Sequence, residues 1–264
     1  MINYPLYLIP FDFSEISDNA LNLALDLTRI NGGSILLLNV VKDKSSRSKV
    51  RLQFKAVVDK LPKEDQEFIT TRVIIGSIYE EIGKASDLLR PSLIVMGTHG
   101  ATGMQKIFGS HVEKIISNSA SPLLITRGDK HMEQVNTIVM PFSFSKESLQ
   151  ITTFAANMAK KFGASIHLVA HHDNNELHEN AIQLNQGIVE RFMEENGVDF
   201  KIINLPMEKS FDAELQDYAG QVHADVIAAT YSNDTGVVTN VHMQRIIENI
   251  YRIPVLTVNA EEIV

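Results

Sequence analysis

A chain of 264 residues has room for one large domain or two of ordinary size. With 44% hydrophobic and 21% charged residues it can bury a real core, which excludes a disordered chain. A formal charge of -8 argues against a grip on nucleic acid or an anionic membrane, and the absence of cysteine removes disulfides, thiolate metal sites and thiol catalysis.

The apolar run Tyr4 to Phe11 reads as a strand ending at Asp12-Phe13-Ser14-Glu15, where Ser14 is placed to cap a helix. Apolar positions from Ala20 to Leu27 give that helix a broad buried face, and Asn31-Gly32-Gly33 stops it. Ser34 to Val41 is a second strand. Lys42 to Lys49 reads as a basic surface loop, followed by a helix through Phe54, Val57, Val58 and Leu61 that ends before Pro62. A strand at Phe68 to Ile75, a helix at Ile78 to Leu89 and a strand at Leu93 to Met96 follow, and Pro122 to Thr126 makes a fifth strand. Nearly all-apolar strands alternating with helices predict βαβ units in a parallel sheet covered on both faces.

Between the fourth strand and the next helix lies Gly97-Thr98-His99-Gly100-Ala101-Thr102-Gly103-Met104-Gln105-Lys106-Ile107-Phe108-Gly109-Ser110. Glycines let the backbone approach a ligand closely, and uncommitted N–H groups at a helix start attract an anion. No Gly-Lys-Ser/Thr closes this stretch, so it is not a Walker A loop. In a doubly wound sheet the ligand site lies beyond the strand ends where the strand order reverses. If the first and fourth strands flank that point, Asp12 meets Gly97, and a carboxylate for base or sugar stands beside a cradle for phosphates.

After the polar stretch 127–134 the same grammar restarts. Pro141-Phe142-Ser143-Phe144-Ser145 repeats Pro10-Phe11-Asp12-Phe13-Ser14 at an offset of 131, and Phe162-Gly163-Ala164-Ser165-Ile166 answers Asn31-Gly32-Gly33-Ser34-Ile35 in the same register. Ala224 to Thr230 parallels Pro91 to Gly97, and Ile253-Pro254-Val255-Leu256-Thr257 parallels Ser121-Pro122-Leu123-Leu124-Ile125. The chain reads as a tandem duplication with domains at 1–127 and 135–264. In the second copy Asp12 becomes Ser143, and Tyr231 to Val238 replaces the glycine loop.

These features resemble the universal stress protein family: the Pro10-Phe11-Asp12-Phe13-Ser14 opening, Leu38-Asn39-Val40-Val41, Met96-Gly97-Thr98-His99-Gly100, and Gly109-Ser110 before a helix and the Ser121-Pro122-Leu123-Leu124-Ile125 strand. The resemblance implies an α/β fold of two doubly wound domains. Each would hold a five-stranded, mostly parallel sheet of the adenine nucleotide alpha hydrolase-like kind. ATP-binding members carry Gly-x2-Gly-x9-Gly-Ser/Thr; here eight residues separate Gly100 from Gly109, one fewer. By that resemblance Asp12 and the Val40 backbone contact adenine or ribose, and Gly97, Gly100, Gly109 and Ser110 hold ribose and phosphates of ATP, or of AMP or ADP, with Mg²⁺ as a companion. Ser143 and His171 stand at the positions of Asp12 and Val40, so no nucleotide is expected in the second copy. The alternative is an interaction scaffold that binds no nucleotide.

Single-domain family members pair as dimers, so the resemblance further implies an intramolecular pseudo-dimer through the fifth strands, with a homodimer as a further option. Met1-Ile2-Asn3-Tyr4-Pro5 lacks the basic region of a secretory signal, and the expected location is the cytoplasm. His167, His171, His172 and His178 with Asp173 offer metal-ligand types, but strand spacing does not gather them, and they read as surface or loop histidines. No nucleophile with its base, carboxylate pair or P-loop lysine announces catalysis; slow ATP hydrolysis is the most the pattern allows.

Overall fold

The computed structural model describes residues 4–98, 110–129, 131–172, 175–206, 208–232 and 240–260, with the backbone alone at 110, 111 and 240–242. Two compact units divide the chain, Met1–Glu133 and Gln134–Val264.

In the first unit the described elements are β1 (Leu6–Pro10), α1 (Glu15–Asn31), β2 (Ser34–Val41), α2 (Ser46–Val58), α3 (Lys63–Gln66), β3 (Ile69–Ile75), α4 (Ile78–Leu89), β4 (Leu93–Gly97), α5 (Ser110–Ser117) and β5 (Leu123–Thr126). Their strands lie in the order β3-β2-β1-β4-β5, all parallel, with Leu8 opposite both Leu36 and Ile94. The order follows from hydropathy. β1 and β4 are buried along almost their whole length and take central places, whereas Thr70, Thr71 and Arg72 of β3 are exposed, as an outer strand permits. Leu8, Ile9, Leu37, Ile94 and Leu124 form the sheet's contribution to the core, and Leu23 and Leu27 of α1 cover it.

Helix α1 starts where its cap predicts, with the Ser17 N–H donating to Ser14 Oγ at 3.3 Å, and stops at Gly32, whose φ is 69°. Helix α2 departs from expectation. It begins at Ser46, inside the stretch read as a basic loop, because the Asp43 carboxylate accepts the Ser46 N–H at 3.1 Å and supplies a cap that the run of cations hides. The short α3 was not anticipated at all. Its Asp65, 1% exposed, is gripped from α1 by Arg29, which also reaches Asp26, 2% exposed.

The second unit runs β6 (Thr137–Phe142), a 3-10 turn (Lys146–Leu149), α6 (Thr152–Phe162), β7 (Ser165–Ala170), α7 (Glu176–Asn196), β8 (Phe200–Ile203), α8 (Phe211–Gln221), β9 (Val226–Tyr231), α9 (Asn240–Ile247) and β10 (Val255–Asn259). Its order, β8-β7-β6-β9-β10, again all parallel, has the same topology as the first unit.

His167 corrects the reading of the histidines as surface or loop residues. It lies within β7 at 6% exposure, and its Nδ1 is 2.7 Å from the Tyr218 hydroxyl. Burial lowers its pKa below the usual imidazole value, with the Lys201 charge adding to the effect. Below about pH 6.5 the unfolded chain therefore takes up a proton that the folded chain refuses, and stability falls as pH drops through that window toward the lower folded value. Denaturant titrations at neutral and mildly acidic pH should show this loss, with a slope no steeper than about 1.4 kcal/mol per pH unit for this group. His167→Gln should remove that part of the slope.

Candidate functional site

The chain leaves β1 in opposite directions. Through α1 it goes to β2 on one side, and through α4 it returns to β4 on the other, so the order reverses between β1 and β4. A crevice therefore opens beyond the carboxyl ends of these strands.

At the end of β1, Phe11 turns into the core at 2% exposure and its N–H donates to Leu38 O at 2.8 Å. Asp12 turns outward. Its Oδ1 accepts from the Ser14 N–H at 3.0 Å and from the Ser14 hydroxyl, which leaves Oδ2 without a partner among the described residues. The next residue, Phe13, has φ 66°, a left-handed conformation costly for an aromatic side chain. Its ring packs on Phe11 and Phe54, with centroids 5.3 and 5.0 Å away, and this trio holds the strained turn that presents Asp12. Sequence patterning cannot signal such a turn at a non-glycine residue.

Gly97 closes β4 against the first turn of α1. A Cβ added there would lie 2.3 Å from Ile16 Cγ2 and 2.6 Å from the Ile16 carbonyl oxygen, so only glycine lets the two backbones approach. Asp12 and Gly97 thus border one crevice through α1's first turn. Thr98 follows, with its N–H donating to Thr126 O at 2.9 Å. The Thr98 side chain is 4% exposed, and Oγ1 has no partner among the described residues. Sequence analysis did not single it out. A buried hydroxyl without a partner is costly, and a polar ligand in the crevice would satisfy it.

Val40 lies near the end of β2, two residues past Leu38, which opposes Pro10 at the last position of β1. Backbone groups alternate sides along a parallel strand. Ile35 N and Val41 O bond toward β3 and Leu38 O toward β1, so the Val40 peptide groups point to β1's side just beyond that strand's end. Asp12, Val40, Gly97 and Thr98 therefore sit at the ends of three adjacent strands. Of the remaining residues, Ser110 is the first of α5, while Gly100, Gly109 and His99 lie outside the described residues.

The corresponding place in the second unit is built differently. Ser143 is 2% exposed, and its hydroxyl accepts from the Ser145 N–H at 3.2 Å. Asn185 Nδ2 of α7 donates to the carbonyls of Ser143 and Phe144 at 2.9 and 3.0 Å. The Phe144 ring stacks on His178 with centroids 3.8 Å apart. Where the repeat puts Thr230 opposite Gly97, the threonine hydroxyl donates to Ser148 O at 3.1 Å and accepts from the Ile151 N–H at 3.2 Å. A side chain here is accommodated because a 3-10 turn precedes α6. His171 stacks on Phe211 at 4.1 Å and His172 meets Glu179 at 2.7 Å, while Asp173 lies outside the described residues.

Asp26, His131 and Glu133 present ligand-type atoms within 4.8 Å of one another, a grouping without a sequence signal because Asp26 lies over 100 residues away. The Asp26 carboxylate is already met by Arg29 at 3.1 Å, His131 at 3.0 Å and the Met132 N–H at 3.1 Å. The cluster clasps the segment after β5 onto α1.

The fold and the crevice define a doubly wound α/β domain with an open crevice at its switch point. Residues 7–127 match the profile of the universal stress protein family, so the first unit is similar to that family over nearly its whole length. A universal stress protein of Methanocaldococcus jannaschii is 23% identical over 156 residues, covering 48% of this chain and 96% of the relative. A second from that organism is 35% identical over 74 residues, 28% of this chain and 44% of the relative. The crystal structure of a universal stress protein from Archaeoglobus fulgidus aligns over 98% of this chain and 97% of its own with TM-score 0.73 at 20% identity, a likeness of fold.

Among the described residues no helix is long and apolar enough to cross a membrane.

Proposed function

We propose that the first unit binds an adenine nucleotide in the β1/β4 crevice. The chain would then serve as a stress-response or signalling module of the cytoplasm with one competent site, in a domain spanning 1–127. The domain at 135–264 is read as a divergent tandem copy without that site. The observation that carries the reading is the convergence, at one switch point, of the outward Asp12 carboxylate and the buried Thr98 hydroxyl, whose Oδ2 and Oγ1 have no partner among the described residues. In this reading Asp12 accepts from ribose hydroxyls, the Val40 peptide groups meet the adenine edge, and Gly97, Gly100, Gly109 and Ser110 border ribose and phosphates. ATP is the first choice of ligand, with ADP or AMP as alternatives and Mg²⁺ to neutralise the phosphates.

Calorimetry with ATP and Mg²⁺ tests this. Saturable binding is expected, weakened about tenfold or more by Asp12→Ala through loss of a charge-assisted hydrogen bond. No heat at millimolar ligand with folded protein overturns it. The second reading, an interaction scaffold without nucleotide, is motivated by the spacing of eight residues between Gly100 and Gly109, one short of the ATP-binding pattern. Recovery of nucleotide from the purified chain would exclude it.

A further inference from the structure

Helix α2 and the outer strand β3 together carry a concentration of positive charge that the nucleotide reading does not use. Arg47 and Arg51 of α2, with Thr71, Arg72, Val73 and Ile74 of β3, line a groove of about 570 Å³. Among the described residues no carboxylate pairs with any of the three arginines. Arg47 and Arg51 are four apart on one helix and so share a face, where like charges repel. Arg47 also stands in the first turn of α2, the positive end of the helix dipole, and no acidic residue accompanies it there. Residues 42–55 hold six lysines and arginines against one aspartate, in a chain whose net charge is -8.

The folded chain thus gathers cations against its own local preferences; Lys55 is paired with Asp59 at 2.5 Å, but the three groove arginines have no carboxylate partner among the described residues. The second unit shows that the scaffold does not require this: the corresponding helix, α7, carries five glutamates and one arginine. Arg47 itself holds a further buried donor, since its Nε has no partner among the described residues.

We infer that this groove binds a small anion bearing several phosphates, with Arg47, Arg51 and Arg72 supplying guanidinium forks to its oxygens. The volume lies in the range of small-molecule sites. Addition of a peptide strand along β3 is disfavoured, because Arg47 Nη2 already occupies the Val73 carbonyl at 3.1 Å. A nucleic acid would extend beyond the patch onto a chain whose net charge is -8. The groove lies two strands from β1, so this site is separate from the nucleotide crevice and stands whether or not that crevice binds ATP.

Calorimetric titration of the full chain with inorganic tripolyphosphate, at low salt and at roughly 0.3 M salt, tests the inference. Saturable binding is expected that weakens with salt and drops at least about tenfold in Arg51→Gln/Arg72→Gln. Both side chains are exposed, so the variant should fold, which circular dichroism checks; Arg72→Gln alone gives an intermediate affinity. Absence of saturable heat or equal affinity in the double variant would each overturn the proposal. So would tighter binding of a polyglutamate peptide than of tripolyphosphate, or cosedimentation with phosphatidate vesicles that free tripolyphosphate does not compete away.

Discussion

Arg29→Ala is expected to destabilise the first unit by about 3 kcal/mol, at the lower end of the range for breaking a buried ion pair because the guanidinium itself is half exposed. Arg29 donates through Nε and Nη2 to both oxygens of Asp65, at 3.1 and 2.6 Å, and through Nη1 to Asp26 at 3.1 Å. Asp65 is 1% exposed, and no other side chain reaches its carboxylate among the described residues. Removing the arginine therefore strands one buried charge outright and takes a donor from a second, Asp26, which retains His131 and the Met132 N–H. Arg29→Lys should recover little, since an ammonium cannot match the two-pronged contact. Arg29→Ala/Asp65→Ala should be more stable than Arg29→Ala alone, because the orphaned carboxylate is gone. Equilibrium denaturation of the three variants decides the matter; equal stability of Arg29→Ala and the parent would refute the role of this network.

Gly97→Ala should cost about 2 to 3 kcal/mol and also abolish nucleotide binding. The added methyl would meet not a flexible side-chain end alone but the Ile16 carbonyl, at 2.6 Å, so β4 and α1 must separate. That movement displaces the helix start that Asp12 and Ser14 build, and with it the carboxylate offered to the ligand. Thr230→Gly, at the repeated position of the second unit, should instead destabilise by roughly 1 to 2 kcal/mol, since it deletes a hydroxyl that bonds Ser148 O and the Ile151 N–H. Thermal melts of both variants, with ATP titrations of the first, distinguish a steric effect at Gly97 from a general intolerance of change at strand ends. Retention of both stability and affinity in Gly97→Ala would contradict the close approach.

Periodicity revealed most of the elements because their causes are local. Ser14 caps α1 from one turn away, Gly32 ends it by its own backbone freedom, and the all-apolar β1 and β4 announce burial on both faces. Where a cause lay further off, or in a weaker signal, the reading failed: the start of α2 depends on the Asp43 carboxylate among cations, α3 is held from Arg29 on another helix, and the burial of His167 depends on its neighbours in the sheet and on Tyr218.

The candidate site divides in the same way. Asp12, Val40, Gly97, Gly100, Gly109 and Ser110 could be named from the chain because the resemblance rests on residue types in order along it, although the spacing from Gly100 to Gly109 is one residue short. The sequence alone determined the α/β class and displayed short segments that recur at a fixed offset. Tertiary structure decided that Gly97 is pressed on Ile16, that strained Phe13 presents Asp12, that Thr98 is a buried hydroxyl without a partner among the described residues, and that three arginines share one groove. Each of these depends on contacts between segments distant along the chain, and a one-dimensional pattern carries residue types and spacings but not the distances that folding creates between them.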